Sequence, residues 1–229
     1  MITSNVINRV FHIKYDDGTG TAFTIDVNER QYLITAKHVI EGFPNKPLEI
    51  YHEGQWKNID CNLVGHGQGN IDVSVLAPSL QLSPNYNLPA TSGNIVYGQT
   101  VFFLGFPYGL KSDLGKELMS DFPLPIVKSG VMSSIMVDND EKTIWLDGHN
   151  NPGFSGGPIV FLPNAQGKEF NVAGIVSAYP TYPEPVVDSN GKETGLYTKN
   201  NPGIIIGYNI SHATDIIDKN PIGFPIKNS

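Results

Sequence analysis

The sequence predicts an all-β protein: two six-stranded antiparallel β-barrels followed by a short C-terminal helix. Three observations carry that expectation. Charged residues make up only 16% of the 229 residues, while 24 glycines and 17 prolines punctuate the chain. That balance suits many short strands and tight turns better than long helices. Apolar and polar residues alternate in short runs along both halves, the period of a strand with one buried face. Only the stretch SHATDIIDKN, at 211–220, has a helical pattern, with Ser211 as N-cap and Ile216 and Ile217 for packing.

The elements follow in order. VFHIKY (10–15), the turn DDGTG (16–20) and TAFTID (21–26) read as a hairpin, and QYLIT (31–35) continues the meander. Further strands are expected at Pro47–Tyr51, Gln55–Val64 and Asp72–Leu76. The segment 77–94 holds Pro78, Pro84, Pro89 and Gly93, which exclude a regular element and mark a linker. The expected units are therefore residues 1–90 and 91–229. In the second, strands are expected at Thr100–Leu104, Pro125–Gly130, Val131–Met136, Thr143–Leu146, Gly157–Phe161, Val172–Ala178 and Ile204–Ile210. Two polar loops rich in proline and glycine, near 107–124 and 180–203, interrupt it.

Composition removes several function classes. Net charge is −7 with no cluster of lysine and arginine, so the electrostatic footprint of a nucleic-acid binder is missing. No apolar run is long enough for a membrane span, and Arg9 and His12 break the N-terminal stretch that a secretion signal would need. Cys61, the single cysteine, has no internal disulfide partner and reads as a small buried hydrophobe. A cytoplasmic location is expected. His12, His52 and His66 lack the spaced partners of a metal site, so neither metal nor cofactor is expected.

The chemistry concentrates in NNPGFSGGP (150–158). Acyl transfer by a serine needs the nucleophile on a tight turn, with backbone N–H groups aimed at the developing oxyanion. Glycines flanking Ser155 allow that turn, and Gly153 and Ser155 are the expected donors. Taken by itself the motif is also a common glycine-rich turn. YLITAKHVI (32–40) sets His38 just past an apolar strand, and NIDVSVL (70–76) sets Asp72 at the mouth of another. The order His, Asp, Ser assigns His38 as general base and then acid, and Asp72 as the group that fixes its tautomer.

These motifs resemble the trypsin-like, chymotrypsin-fold serine peptidases of the HtrA/Deg bacterial type over most of the chain. GTGTAFTI (18–25) and LITAKHV resemble the opening hairpin and the histidine motif; GNIDVSVL resembles the aspartate motif. VFFLGFPYG (101–109), KSGVMSS (128–134), NPGFSGGPIV, VAGIVSA (172–178) and GYNISHATDII (207–217) are similar to successive parts of the second barrel. The resemblance implies an endopeptidase working through an acyl-enzyme on protein or peptide substrates; a PDZ domain is not expected to follow. Phe154 stands where the family commonly has Asn or Asp, so activation by pairing with a freshly cut N-terminus is not expected. Packing of Phe154 beneath the oxyanion loop is expected instead. The residue six before the nucleophile lines the primary pocket in such enzymes; here it is His149, followed by Asn150, with Ser177, Ala178 and Tyr179 opposite. No acid stands there to select Arg or Lys.

Two rival readings stay open at this level. GFSGG also fits the nucleophile elbow of α/β-hydrolases, with Asp188 and His212 following in that order. A protease-fold binding module, inactive or latent until a regulatory protein partner arrives, is the other.

Overall fold

The computed structural model describes residues 2–112, 122–164 and 167–226. A one-turn helix α1 (Ser4–Ile7) precedes seven strands: β1 (Val10–Tyr15), β2 (Gly18–Val27), β3 (Arg30–Thr35), β4 (Leu48–His52), β5 (Gln55–Ile59), β6 (Cys61–His66) and β7 (Ser74–Pro78). They pair antiparallel in the order β5-β4-β1-β2-β3-β7-β6, and the closing strand β16 (Phe224–Pro225) adds to β3. The sheet is open at β5 and β6. The expected first barrel is thus an eight-stranded half-barrel sheet. The stretch expected as one strand over 55–64 breaks at Asp60 into β5 and β6, and β5 is largely solvated, so it offers little apolar surface for closure.

The second half does close. Strands β8 (Thr100–Gly105), β9 (Ile126–Asp138), β10 (Glu141–Asp147), β11 (Pro158–Phe161), β12 (Asn171–Ala178) and β15 (Ile204–Asn209) form a six-stranded barrel. The two strands expected at 125–130 and 131–136 are one long β9, because Gly130 continues the pairing with Val101. The loop expected over 180–203 contains a two-stranded hairpin, β13 (Tyr182–Val187) and β14 (Glu193–Asn200), exposed along its length. Part of the other expected loop, 113–121, lies outside the described residues. Helix α2 (Ser211–Lys219) packs Ala213 and Ile217 into the core. Its first N–H groups are not capped by the Ser211 side chain; Asn209 Oδ1 accepts from Ser211 N at 3.0 Å. Among the described residues, no helix is long and apolar enough to cross a membrane.

Three apolar clusters form the core. One fills the first sheet with Phe11, Ile13, Leu33, Ile40 and Leu76. Another fills the barrel with Val101, Phe103, Ile144, Ile159 and Phe154. The third is shared: Phe23, Ile34 and Val75 of the first half meet Leu104, Phe106, Ile175 and Tyr208 of the second. Fully burying each such side chain contributes about 1.5–3 kcal/mol, so the shared cluster makes the seam a core, rather than a hinge. The proline-rich segment after β7 is fastened to the first sheet. Arg9 donates to Asp26 (2.6 Å) and to the carbonyls of Pro84 and Tyr86, and Gln31 Oε1 accepts from Leu82 N and Ser83 N.

Candidate active site

The seam gathers the candidate residues. After β3 the chain enters a 3-10 turn, Lys37–Ile40, which lifts the His38 ring out of the sheet. Asp72 sits in the connection just before β7. Its Oδ2 lies 2.7 Å from His38 Nδ1, and its Oδ1 accepts the His38 backbone N–H at 2.9 Å. The carboxylate therefore holds both the ring and the turn that carries it. With Nδ1–H donating to the carboxylate, Nε2 keeps its lone pair. The hydrogen bond to Asp72 raises the His38 pKa above 6.5, against the opposing effect of burial. Burial by itself would raise the Asp72 pKa, yet the hydrogen bonds from His38 and Ser177 more than offset it and the net shift is downward.

Ser177 reaches Asp72 because β12 bulges. The register with β15 shifts between Val176 and Ala178, leaving Ser177 as the extra residue. Such a bulge re-aims a side chain. Ser177 Oγ donates to Asp72 Oδ2 at 2.5 Å, and Ser177 O accepts the Ser155 hydroxyl at 3.1 Å. Among the described residues, Ser155 makes no hydrogen bond to the His38 ring.

Ser155 lies on a turn built from glycines with positive φ. Gly156 has φ +85°, and a Cβ there would stand 2.1 Å from Thr21 O and 2.9 Å from Ala36 N. Only glycine lets the Ser155 loop press against the backbone leading to His38. Gly153 has φ +102°, and its Cβ would meet Phe106 O at 2.4 Å. Its neighbours fix the peptide orientation. Pro152 O accepts the Tyr108 N–H at 2.9 Å, Gly153 O accepts Thr21 Oγ1 at 2.7 Å, and Ser155 O accepts Thr21 N at 2.9 Å. A trans peptide points its N–H opposite to its carbonyl. The Gly153 N–H is thereby turned away from Tyr108, and neither it nor the Ser155 N–H has an acceptor among the described residues. Tyr108 itself holds φ +53°, a left-handed conformation uncommon for a tyrosine, in the middle of the turn Pro107–Gly109.

Phe154 packs as expected. It is fully buried in the barrel core, edge-on to Phe103 at 5.0 Å. The expected pocket residues divide. Ser177 and Asn150 are buried, Tyr179 is half-buried, and His149 and Ala178 are exposed. Asn150 spends its polar groups locally: Oδ1 accepts from Asn151 N and its carbonyl accepts from Asn201 Nδ2. The bonds of Ser177 place it under Asp72 as well as along the cleft. Asp188 and His212 do not approach Ser155. Asp188 Oδ1 caps the turn at the exposed hairpin tip, and His212 Nε2 accepts from Lys142 N, so the elbow reading is not supported in a mostly β fold. Sequence reasoning missed Thr21, Tyr108 and Lys128. All three lie inside quoted motifs, Thr21 in GTGTAFTI, Tyr108 in VFFLGFPYG and Lys128 in KSGVMSS, but nothing in those stretches ties them to the Ser155 loop.

Cys61 is partly buried and lies against the first-sheet core. Burial, helped by Asp60, pushes its thiol up to about 12, so it stays protonated and poorly nucleophilic. Among the described residues no group of three or more His, Cys, Asp or Glu is placed to hold a metal ion.

A half-barrel sheet joined to a closed barrel, with histidine, aspartate and serine gathered at their seam, defines a protein of the chymotrypsin-fold class. The chain belongs to the trypsin-like peptidase domain family, whose model matches residues 18–170. It is 29% identical over 152 residues to the chloroplastic Protease Do-like 1 of Arabidopsis thaliana, covering 65% of this chain and 31% of that protein. To the serine protease Do-like HtrA of Bacillus subtilis (strain 168) it is 28% identical over 174 residues, covering 72% and 36%. The chain thus spans about a third of the length of these relatives. Among solved structures, the HtrA-type protease AlgW with tripeptide matches with a TM-score of 0.61 at 23% identity, over 94% of this chain and 61% of that one. The active form of the Rv3671c protease from M. tuberculosis matches with a TM-score of 0.63 at 16% identity, over 97% and 85%. These structural likenesses concern the fold.

Proposed function

We propose that the chain is a serine endopeptidase in which His38, Asp72 and Ser155 act as the triad and the Gly153 and Ser155 N–H groups form the oxyanion hole. One observation carries the reading: the Asp72 carboxylate grips His38 through both ring and backbone, 2.7 and 2.9 Å, beside a serine whose loop leaves two N–H donors unclaimed. Rotation of the Ser155 side chain from Ser177 O toward His38 Nε2 starts the reaction. Nε2 takes the hydroxyl proton as Oγ attacks the scissile carbonyl. The imidazolium, steadied by Asp72, then protonates the leaving amine, and water reverses the sequence on the acyl-enzyme. Donors already aimed at the oxyanion need no rearrangement during the reaction, and each contributes about 3 kcal/mol.

The substrates are polypeptides bound extended along Ser177–Tyr179 at the end of β12. Cleavage after Arg or Lys is disfavoured, since no carboxylate replaces His149 and the Lys128 ammonium sits on the His149 carbonyl. The orientation of the Pro152–Gly153 peptide supports a site assembled at rest over one awaiting a regulatory partner. A single, protonated Cys61 suits a reducing compartment. Labelling with a fluorophosphonate probe tests the reading. Wild type should label, and Ser155→Ala and His38→Ala should not; a wild type that stays unlabelled while cleaving no peptide rejects it.

A further inference from the structure

Strand β9 starts beneath the nucleophile loop, and its third residue is a lysine. Lys128 lies on the same register as Ile126, Gly130 and Met132, the positions of β9 that turn into the barrel. A cation at that register needs partners, and the loop supplies them. Its ammonium donates to the carbonyl oxygen of His149 and, at 3.2 Å, to Asn151 Oδ1. It also stands 5.9 Å from the Phe103 ring and 5.8 Å from the Phe154 ring. The aliphatic stem spans the end of the barrel while the charged head is held at the loop. Burial lowers its pKa, as expected for a cation partly withdrawn from water.

The loop it grips has few backbone bonds to the barrel. Side chains fasten it instead: Asn201 Nδ2 takes the Asn150 carbonyl, and Asn151 Nδ2 meets the Tyr108 hydroxyl at 3.4 Å. Asn151 then passes the constraint forward, because its carbonyl accepts the Phe154 N–H at 3.2 Å. That turn encloses Pro152 and Gly153. An ammonium on one side and a buried aromatic ring on the other thus fix the two ends of the peptide that presents the Gly153 donor.

We infer that Lys128 is a positioning residue, a cation supplied from within the barrel that holds the 149–154 loop so that the Gly153 N–H faces the oxyanion. Its effect on turnover rests on the serine peptidase reading; its effect on the loop does not. Lys128→Met keeps the stem against Phe103 and Phe154 and removes the donors, and Lys128→Arg keeps charge and donors. Two readouts decide the matter. Hydrogen exchange over residues 148–157 should be faster in Lys128→Met than in wild type and recover in Lys128→Arg, with β1–β3 unchanged in all three. On a peptide substrate, kcat should fall about 10- to 100-fold in Lys128→Met while KM moves less than about threefold, as expected for a misaligned oxyanion donor. If Lys128→Met melts below the assay temperature, Asn151→Ala, which removes one acceptor of the ammonium, replaces it in both measurements. Unchanged exchange in the loop overturns the inference. Faster exchange in Lys128→Met, together with a wild type that neither labels nor turns over, instead leaves the loop role standing and rejects the peptidase reading.

Discussion

The Ser177 hydroxyl lies 2.5 Å from Asp72 Oδ2 and joins a bulge of the closed barrel to the carboxylate of the open sheet. A side chain of the second half thereby sets the electrostatics of a pair that belongs to the first. The same residue accepts the Ser155 hydroxyl on its carbonyl, so one bulged position touches both Asp72 and Ser155.

Replacing Ser177 with alanine should lower kcat/KM about tenfold, the scale of one hydrogen bond to a charged group. The loss should appear without a change in secondary structure by circular dichroism. A variant within twofold of wild type would show that the bond to Asp72 does not matter to turnover.

The pH profile should carry the His38–Asp72 pair. Protonated His38 has no lone pair for the Ser155 proton, so activity is lost as pH falls through its pKa. Because the hydrogen bond to Asp72 raises that pKa, the acid limb of kcat/KM should lie above 6.5. In Asp72→Asn the limb should move down, and kcat should drop by about four orders of magnitude as the tautomer is lost. An acid limb at or below 6.5 in wild type contradicts the assignment.

Gly153→Ala should cost about 10²- to 10³-fold in kcat, as for the loss of one oxyanion donor. The Cβ would meet Phe106 O at 2.4 Å with φ at +102°, so the peptide must move. Affinity for a peptide aldehyde should fall in step with kcat, while KM changes little. A rise in KM with kcat unchanged would place the glycine in ground-state binding.

His12 makes stability depend on pH. Its ring is stacked on Phe106 at 4.9 Å and is 4% exposed, and among the described residues neither ring nitrogen has a hydrogen-bond partner. Burial, with Lys111 adding to it, lowers its pKa to about 4 from 6.5. Between those values the unfolded chain binds a proton that the folded one refuses, so stability is present above 6.5 and declines as pH falls toward 4. The decline should reach about 3 kcal/mol. Urea unfolding across that range should show the slope in wild type and lose it in His12→Leu. An equal slope in both variants would assign the effect to other groups.

Much of this was legible along the chain. Alternation located nearly every strand, since a one-sided sheet must repeat every two residues. Glycines around Ser155 announced a tight turn because no other residue enters it without strain. Boundaries were less legible. Gly130 and the 180–203 segment read as breaks, but a glycine in a long strand and a hairpin with both faces in water leave no apolar signature.

By itself, then, the sequence determined the all-β class, the order of His38, Asp72 and Ser155, and the burial of Phe154, because each depends on residue type and short-range spacing. Tertiary structure decided that the first half stays open, that Ser177 donates to Asp72, and that Thr21, Tyr108 and Lys128 converge on the Ser155 loop. Those three are separated from Ser155 by 134, 47 and 27 residues of chain. Only folding, which closes such separations through a shared core, brings their donors to it.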